Sequence, residues 1–175
     1  LKGLDYYQNA QEKVKSENIA IIEIDEDSLD EYGQWPWKRD LIAQGIIKAY
    51  ESGAQLVVVP ILFAEKDRLG GDQELVELLN EAPVIIGQSA STKGKGDPVP
   101  RGLATIGESL DGWLFDYPEA IGPVKELGEV AAGVGMILTA PELDGVVRRM
   151  PLVIQIKGEA YPTIPLEVIR LFSGE

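Results

Sequence analysis

The side chains here that could do chemistry are carboxylates, indoles and guanidinium groups, and many of them fall in one stretch, Ile19 to Arg39. An apolar run of strand length, Ile19–Ile24, ends in Asp25-Glu26-Asp27-Ser28, and the chain then passes Gly33 to Trp35-Pro36-Trp37 and Arg39. Two of the three tryptophans sit here, with a proline fixing the backbone between them. In an open parallel sheet, ligands lie beyond the carboxyl ends of the strands. If the Ile19 run is a central strand, Asp25 and Asp27 stand at that rim, Glu65 arrives from the end of the next strand, and Asp72 from the loop after it. Asp25, Asp27, Trp35, Trp37, Arg39, Glu65 and Asp72 are therefore candidate ligand-binding residues. Such a rim would hold a hard cation or an amine, with oxygen ligands from the acids and a cation–π face from the indoles. The same residues also permit a purely structural arrangement: aspartates capping turns, tryptophans filling the core under a loop, and Arg39 neutralising acids in an ion pair. Taken alone, Asp72 reads better as a plain N-cap. Arg148 and Arg149 complete the candidate set. In a strand they point to opposite faces, so that one pairs inward with an acid such as Asp144 or Asp25, or waits for an anionic ligand, while the other meets solvent.

Composition narrows the chemistry. The chain has 175 residues, enough for one domain with a sizeable core. It contains no cysteine and no histidine, which removes Cys-His and Ser-His-Asp nucleophiles and the usual zinc ligands. A net charge of −13 repels phosphate backbones, so nucleic acid is not an expected partner. No run of eighteen or more apolar residues is present, and so no membrane span is expected within the sequence. No cofactor is implied. The absent initiator Met and the helical pattern at the far end read as a domain excised from a longer chain, a single domain over 1–175 with a leading helix at 1–17 and an α/β core at 18–172.

The elements that must position these groups follow from periodicity. Leu1, Leu4, Tyr7, Ala10 or Gln11, and Val14 recur at helical steps, either as a helix packed on its own domain or as one arriving from upstream. Asn18–Ile24 has the pattern of a strand buried on both faces. Asp40 can cap a helix with Leu41, Ile42, Ile46, Ala49 and Tyr50 on one face and Gly53 at its end. Leu56–Val59 is the next strand, which completes a right-handed crossover unit. A helix with Leu75, Leu78, Leu79 and Ala82, then a strand at Val84–Gly87, continue the alternation. The segment from Ser89 to Pro100 reads as a mobile surface loop, and its Gly94-Lys95-Gly96 lacks the spacing of a phosphate-binding loop. Ile106, Leu110, Trp113, Leu114 and Phe115 are expected to cover one edge of the sheet. A glycine-bearing strand at Ala132–Leu138, a turn at Pro141–Gly145 and a half-exposed antiparallel strand at Val146–Ile156 change the grammar, with Pro151 implying an edge or bulge. A tight turn at Lys157-Gly158-Glu159 follows, then a helix opened by Thr163 and Pro165 with Leu166, Ile169 and Phe172 inward. The expected fold class is α/β, a three-layer α/β/α domain with a mixed sheet, parallel strands first and a C-terminal antiparallel hairpin.

IDEDSL followed by GQWPWKR, then PILFAEKDRLGGD, then the glycine-bearing strand with DGVVRRMPL, and finally YPTIPLEVIRL, resemble the CHASE2 domain in order and spacing from about Ile19 to Leu171. The resemblance departs at Pro60, where that family commonly has an aspartate. It implies an extracytoplasmic sensor module of bacterial membrane receptors such as adenylate cyclases, histidine kinases and serine/threonine kinases. Implied with it are a small-molecule or ion ligand, a location on the outer side of the cytoplasmic membrane, tethering through flanking helices, and relay to an intracellular output domain. A homodimer is expected from the amphipathic first helix and the need to couple two outputs. Two other readings compete. Asp25-Glu26-Asp27 after a buried strand faintly resembles the magnesium-dependent phosphohydrolases of the haloacid dehalogenase class, but Gly87-Gln88-Ser89 stands where a further acid is needed. A pure dimerisation module with no pocket is the other.

Overall fold

The computed structural model describes residues 2–12, 16–93, 97–100, 103, 112–138 and 144–174. The chain divides into two units, Leu1–Pro36 and Trp37–Glu175. In the first, helix α1 (Lys2–Ala10) forms within the expected helical segment, with Tyr7 and Ala10 of the expected stripe exposed and Leu1 and Val14 outside the described residues. The expected strand at Asn18–Ile24 is not formed. Ile19, Ile21, Ile22 and Ile24 are exposed, and no ladder bond reaches them. An apolar run supplies strand propensity, but a strand exists only through its backbone partners, and among the described residues this run has none. The acidic turn that follows is helix α2 (Glu26–Tyr32), which ends on Gly33 at φ 92°, a left-handed conformation that suits glycine.

The second unit carries the alternation that the pattern predicts. Helix α3 (Arg39–Glu51), strand β1 (Val57–Leu62), helix α4 (Asp72–Glu81) and strand β2 (Val84–Ser91) follow in order. Gly53 (φ 99°) closes α3 as expected, and Ala54 N–H returns to the Ala49 carbonyl at 3.1 Å. Asp40 lies inside the first turn and not at the cap: its Oδ1 accepts from Leu41 N–H at 2.7 Å. Short strands β3 (Asp116–Tyr117) and β4 (Glu119–Ile121), helix α5 (Lys125–Val130), strand β5 (Gly133–Met136), the pair β6 (Val153–Ile156) and β7 (Glu159–Pro162), and helix α6 (Ile164–Ser173) complete the unit.

Strand β2 is the axis of the main sheet. It pairs in parallel with β1 (Val57↔Val84, Val59↔Ile86) and with β5 (Ile85↔Gly133, Gln88↔Met136), and its far end pairs antiparallel with β4 (Ser89↔Ile121). Val84, Ile85 and Ile86 have no accessible surface, as continuous apolar runs in parallel sheets require. Pro60 sits in the register irregularity between Val59 and Leu62, on a strand that among the described residues has a ladder with β2 alone, and there its missing N–H breaks no pairing.

Val59, Val84, Ile86 and Val134 pack with Ala43 and Ile46 of α3, Leu75 and Leu79 of α4, and Leu127 of α5 in one apolar cluster. The alternate residues of β5 meet α6 instead: a Cβ on Gly135 would lie 2.6 Å from Ile164 Cα, and one on Gly133 would lie 2.8 Å from Glu167 Oε2. Side chains alternate across a strand, so helices cover the sheet on both faces. Helix α6 therefore turns Ile164, Glu167 and Leu171 inward, while Ile169 and Phe172, expected inside, are exposed. Buried Glu167 is neutralised by Arg170, whose Nε and Nη2 donate at 2.9 and 3.0 Å, and Arg170 also donates to the Ala132 carbonyl. The carboxylate holds the guanidinium pKa above its ordinary value.

The expected antiparallel pairing of Ala132–Leu138 with Val146–Ile156 is not made. β5 stays in the parallel sheet, and Val146–Met150 have no regular structure. The hairpin is β6–β7, turning at Lys157 (φ 53°) and Gly158 (φ 81°), and it forms a separate three-stranded sheet with β3. Pro151 has no N–H for a ladder, and the strand begins after it. Ile106 and Leu110, expected at a sheet edge, and Pro141–Leu143 of the expected turn lie outside the described residues, as does Gly94-Lys95-Gly96. Trp113 and Phe115 are exposed, not edge cover.

The glycines give a paired test. Gly135→Ala should lower stability in urea unfolding by about 1–3 kcal/mol, the usual range for overpacking, because the new methyl meets the α6 backbone. Gly45→Ala, inside α3 with nothing near its missing Cβ, should raise it by about 0.5–1 kcal/mol. Equal effects would mean that α6 does not pack on β5 as described.

Candidate functional site

Arg39 opens α3 and is almost fully buried. A guanidinium taken out of water needs acceptors, and three parts of the second unit surround it. Its Nη1 pairs with Asp72 Oδ1, its Nη2 donates to the main-chain carbonyl of Glu65, and its carbon lies 5.1 Å from the centre of the Phe63 ring. The Arg39 N–H, one of the orphan donors of a helix start, donates to Asp67 Oδ2 at 2.8 Å. Asp72 Oδ2 accepts from Asp67 N–H at 3.0 Å, and Asp67 Oδ1 accepts from Leu69 N–H at 2.9 Å. The circuit Arg39–Asp72–Asp67 is closed on itself. It ties the start of α3, the exit from β1 and the start of α4 into one corner.

Asp72 is the first residue of α4 and not its cap. The cap position is Gly71 (φ 99°), whose missing Cβ would sit 2.4 Å from the Asp40 nitrogen. Among the expected rim residues, then, the structure brings Arg39, Glu65 and Asp72 together, with Glu65 contributing a carbonyl while the residue itself stays exposed. Phe63 and Asp67 were not singled out in the sequence. The signal for Asp67 was its place in the polar loop Lys66–Gly71, at a spacing that lets one aspartate serve a turn, a helix start and a neighbouring acid's partner. Trp37 is half-buried in the same unit.

Asp25, Asp27 and Trp35 belong to the first unit and are described within it. Asp25 is the N-cap of α2: its Oδ1 accepts from Ser28 N–H at 2.9 Å and from Ser28 Oγ–H at 2.6 Å. The Ser28 side-chain and backbone donors favour the charged carboxylate and lower its pKa. Asp27 is exposed in the first turn of that helix, where an acid complements the helix dipole. Trp35 is partly exposed, and the Trp35–Pro36 bond is cis. The strand that would have carried these acids to a sheet rim is not formed, and the phosphohydrolase reading loses its premise with it. Among the described residues no group of three or more acids is placed to hold a metal ion.

Arg148 pairs with Asp144, Nη1 to Oδ1 at 2.9 Å and Nη2 to Oδ2 at 2.8 Å, as one of the two expected partners; Arg149 is exposed. Strand alternation does not set this, since residues 146–150 are not a strand. The Arg148 hydrogen bond, followed by that from Val146 N–H, lowers the Asp144 pKa from 3.8 to about 2.

At the carboxyl end of the parallel sheet lies a group the acid and indole pattern did not single out. Gln88 is fully buried, and its amide meets both backbone groups of one residue, accepting from Val99 N–H at 2.8 Å and donating to Val99 O at 3.1 Å. Val124 N–H closes on the Phe63 carbonyl beside it at 2.7 Å. The part of the expected mobile loop at 97–100 is thus tied to the sheet.

Two outcomes follow. Arg39→Met should lower unfolding stability in urea by about 2–3 kcal/mol, less than a fully buried pair would cost because the Asp72 side chain keeps 35% of its exposure. An unchanged midpoint together with a lost ligand response would return Arg39 to a ligand-binding role. The Asp144 pKa is lower folded than unfolded, so its pairing stabilises above about pH 4 and is lost as pH falls towards 2. Replacing it by Asn should flatten that limb of the melting-temperature profile, and identical acid limbs would contradict the pairing.

Neither curated proteins nor solved structures gave a match to this chain. A family model did: that of the CHASE2 domain, over residues 1–174. With nearly the whole length covered, the chain belongs to the CHASE2 domain family of extracytoplasmic sensor domains.

Proposed function

We propose that this chain is the ligand-sensing domain of a bacterial transmembrane receptor, exposed on the outer side of the cytoplasmic membrane. A small-molecule or ion stimulus is relayed to an intracellular output domain of the cyclase, histidine kinase or serine/threonine kinase kind. The observation that carries this reading is the family match along residues 1–174. No helix among the described residues is long and apolar enough to cross a membrane, so the reading requires spans supplied by flanking sequence. Relay then works through the ends of the domain, and two copies acting together couple two outputs. The second unit suits a rigid receiving body, because its charged motif residues are tied to one another. A hinge placed at the Arg39 corner would have to break a buried ion pair.

The chain has no cysteine, so residues 1–175 contribute no native thiol, and the unsubstituted parent protein serves as the labelling control. In cells expressing the parent protein, Thr92→Cys, at an exposed position, should react with a membrane-impermeant maleimide before lysis, and sedimentation of the solubilised protein should give the mass of a dimer. Labelling only after lysis would remove the receptor reading. A monomer at every concentration would remove the paired relay.

A further inference from the structure

An open α/β sheet holds its ligand beyond the carboxyl ends of its parallel strands; Gln88 stands where the parallel ladders of β2 with β1 and β5 end, and here a piece of the chain itself is bound to it. Residues 97–100 read Asp-Pro-Val-Pro. The two prolines have no N–H, so within 98–100 Val99 is the one backbone donor, and Gln88 takes both its N–H and its carbonyl. A side-chain amide that meets the N–H and C=O of one residue reads backbone and not side chain. The walls fit the same description. A Cβ on Gly122 would lie 2.2 Å from the Asp97 carbonyl oxygen, and one on Gly128 would lie 2.8 Å from a Val99 methyl, so two glycines make room for the segment. Val99 adds its side chain to the apolar cluster that contains Leu127.

We infer that Gln88, Gly122 and Gly128 form a peptide-binding crevice, filled in this structure by residues 97–100, and that an extended proline-flanked peptide competes for it. Backbone contacts give affinity in such modes, and prolines lower the entropy cost of the extended form. The internal segment competes at an effective concentration of about millimolar, so a free peptide acts only near or above that range. This deepens the sensor reading by naming a ligand class, but the test uses no signalling, and its failure leaves that reading standing.

The probe is acetyl-Asp-Pro-Val-Pro-amide, titrated to about 10 mM into isotope-labelled protein. The Gln88 side-chain amide signals should shift, and the Val99 backbone amide should exchange with solvent about tenfold faster than in the free protein. A control peptide N-methylated at valine, which lacks the N–H that Gln88 accepts, should do neither. Gln88→Leu should abolish the response of the first peptide. Should that variant fail to fold, the N-methyl control alone decides. No shift with either peptide, or equal shifts with both, would overturn the inference.

Discussion

A buried guanidinium must be answered by fixed acceptors, and the corner around Arg39 is built to that requirement. Asp72, the Glu65 carbonyl and the Phe63 ring answer the side chain, and Asp67 answers the N–H beside it. Because Asp67 and Asp72 also bond to each other, no one of these contacts can be withdrawn without leaving a polar group unsatisfied. The loop from Phe63 to Gly71, between β1 and α4, is therefore tied to the start of α3. The left-handed backbone at Gly71, pressed against Asp40, is the steric cost of closing it so tightly.

The same logic runs through the rest of the second unit. β5 is made of glycines where α6 approaches and of Val134 where it meets the α3–α5 cluster. Backbone contact on that face replaces side-chain packing, and the one acid that α6 turns inward, Glu167, brings its own counter-charge one turn later in Arg170. Met136, Ala120, Ile154, Ile156 and Tyr161 form a second apolar cluster at the junction with the small sheet. Fully buried Thr163 is satisfied there by donating to the Pro151 and Leu152 carbonyls. A surplus of acids on the surface and paired cations inside is how so acidic a chain keeps its interior neutral.

What could be read in advance was what depends on local pattern. The helices at Arg39–Glu51 and Asp72–Glu81, the strands at β1 and β2, the turn at Lys157-Gly158 and the closing role of Gly53 all follow from periodicity and backbone preference. What could not be read depends on partners. Ile19–Ile24 has the composition of a strand and no ladder among the described residues; Ala132–Leu138 and Val146–Ile156 look like a hairpin, yet the first joins β2 and only the end of the second pairs, with β3 and β7. Ile169 and Phe172 are apolar but face outward, because the glycines of β5 draw Ile164, Glu167 and Leu171 to the sheet. In the candidate site, residue types were legible and their roles were not. Arg39 and Asp72 read as ligand-facing residues or as structural ones, and the structure shows the ion pair that the structural arrangement requires.

That exchange of roles bears on where specificity resides in such a domain. Residues that define the family motif here hold elements in place: Asp25 caps α2, Arg39 joins three segments, and Arg148 is clamped by Asp144. A scaffold held in this way does not by itself fix what the domain does. Pro60 fits the same view. Standing where the family commonly has an aspartate, it occupies an exposed irregularity of β1 and does not disturb the Arg39 corner that follows it. In an open α/β sheet the groups that meet a ligand lie on the loops at the carboxyl ends of the strands. Gln88 and the segment it holds stand there, anchored to the rigid sheet on one side and to a single backbone residue on the other.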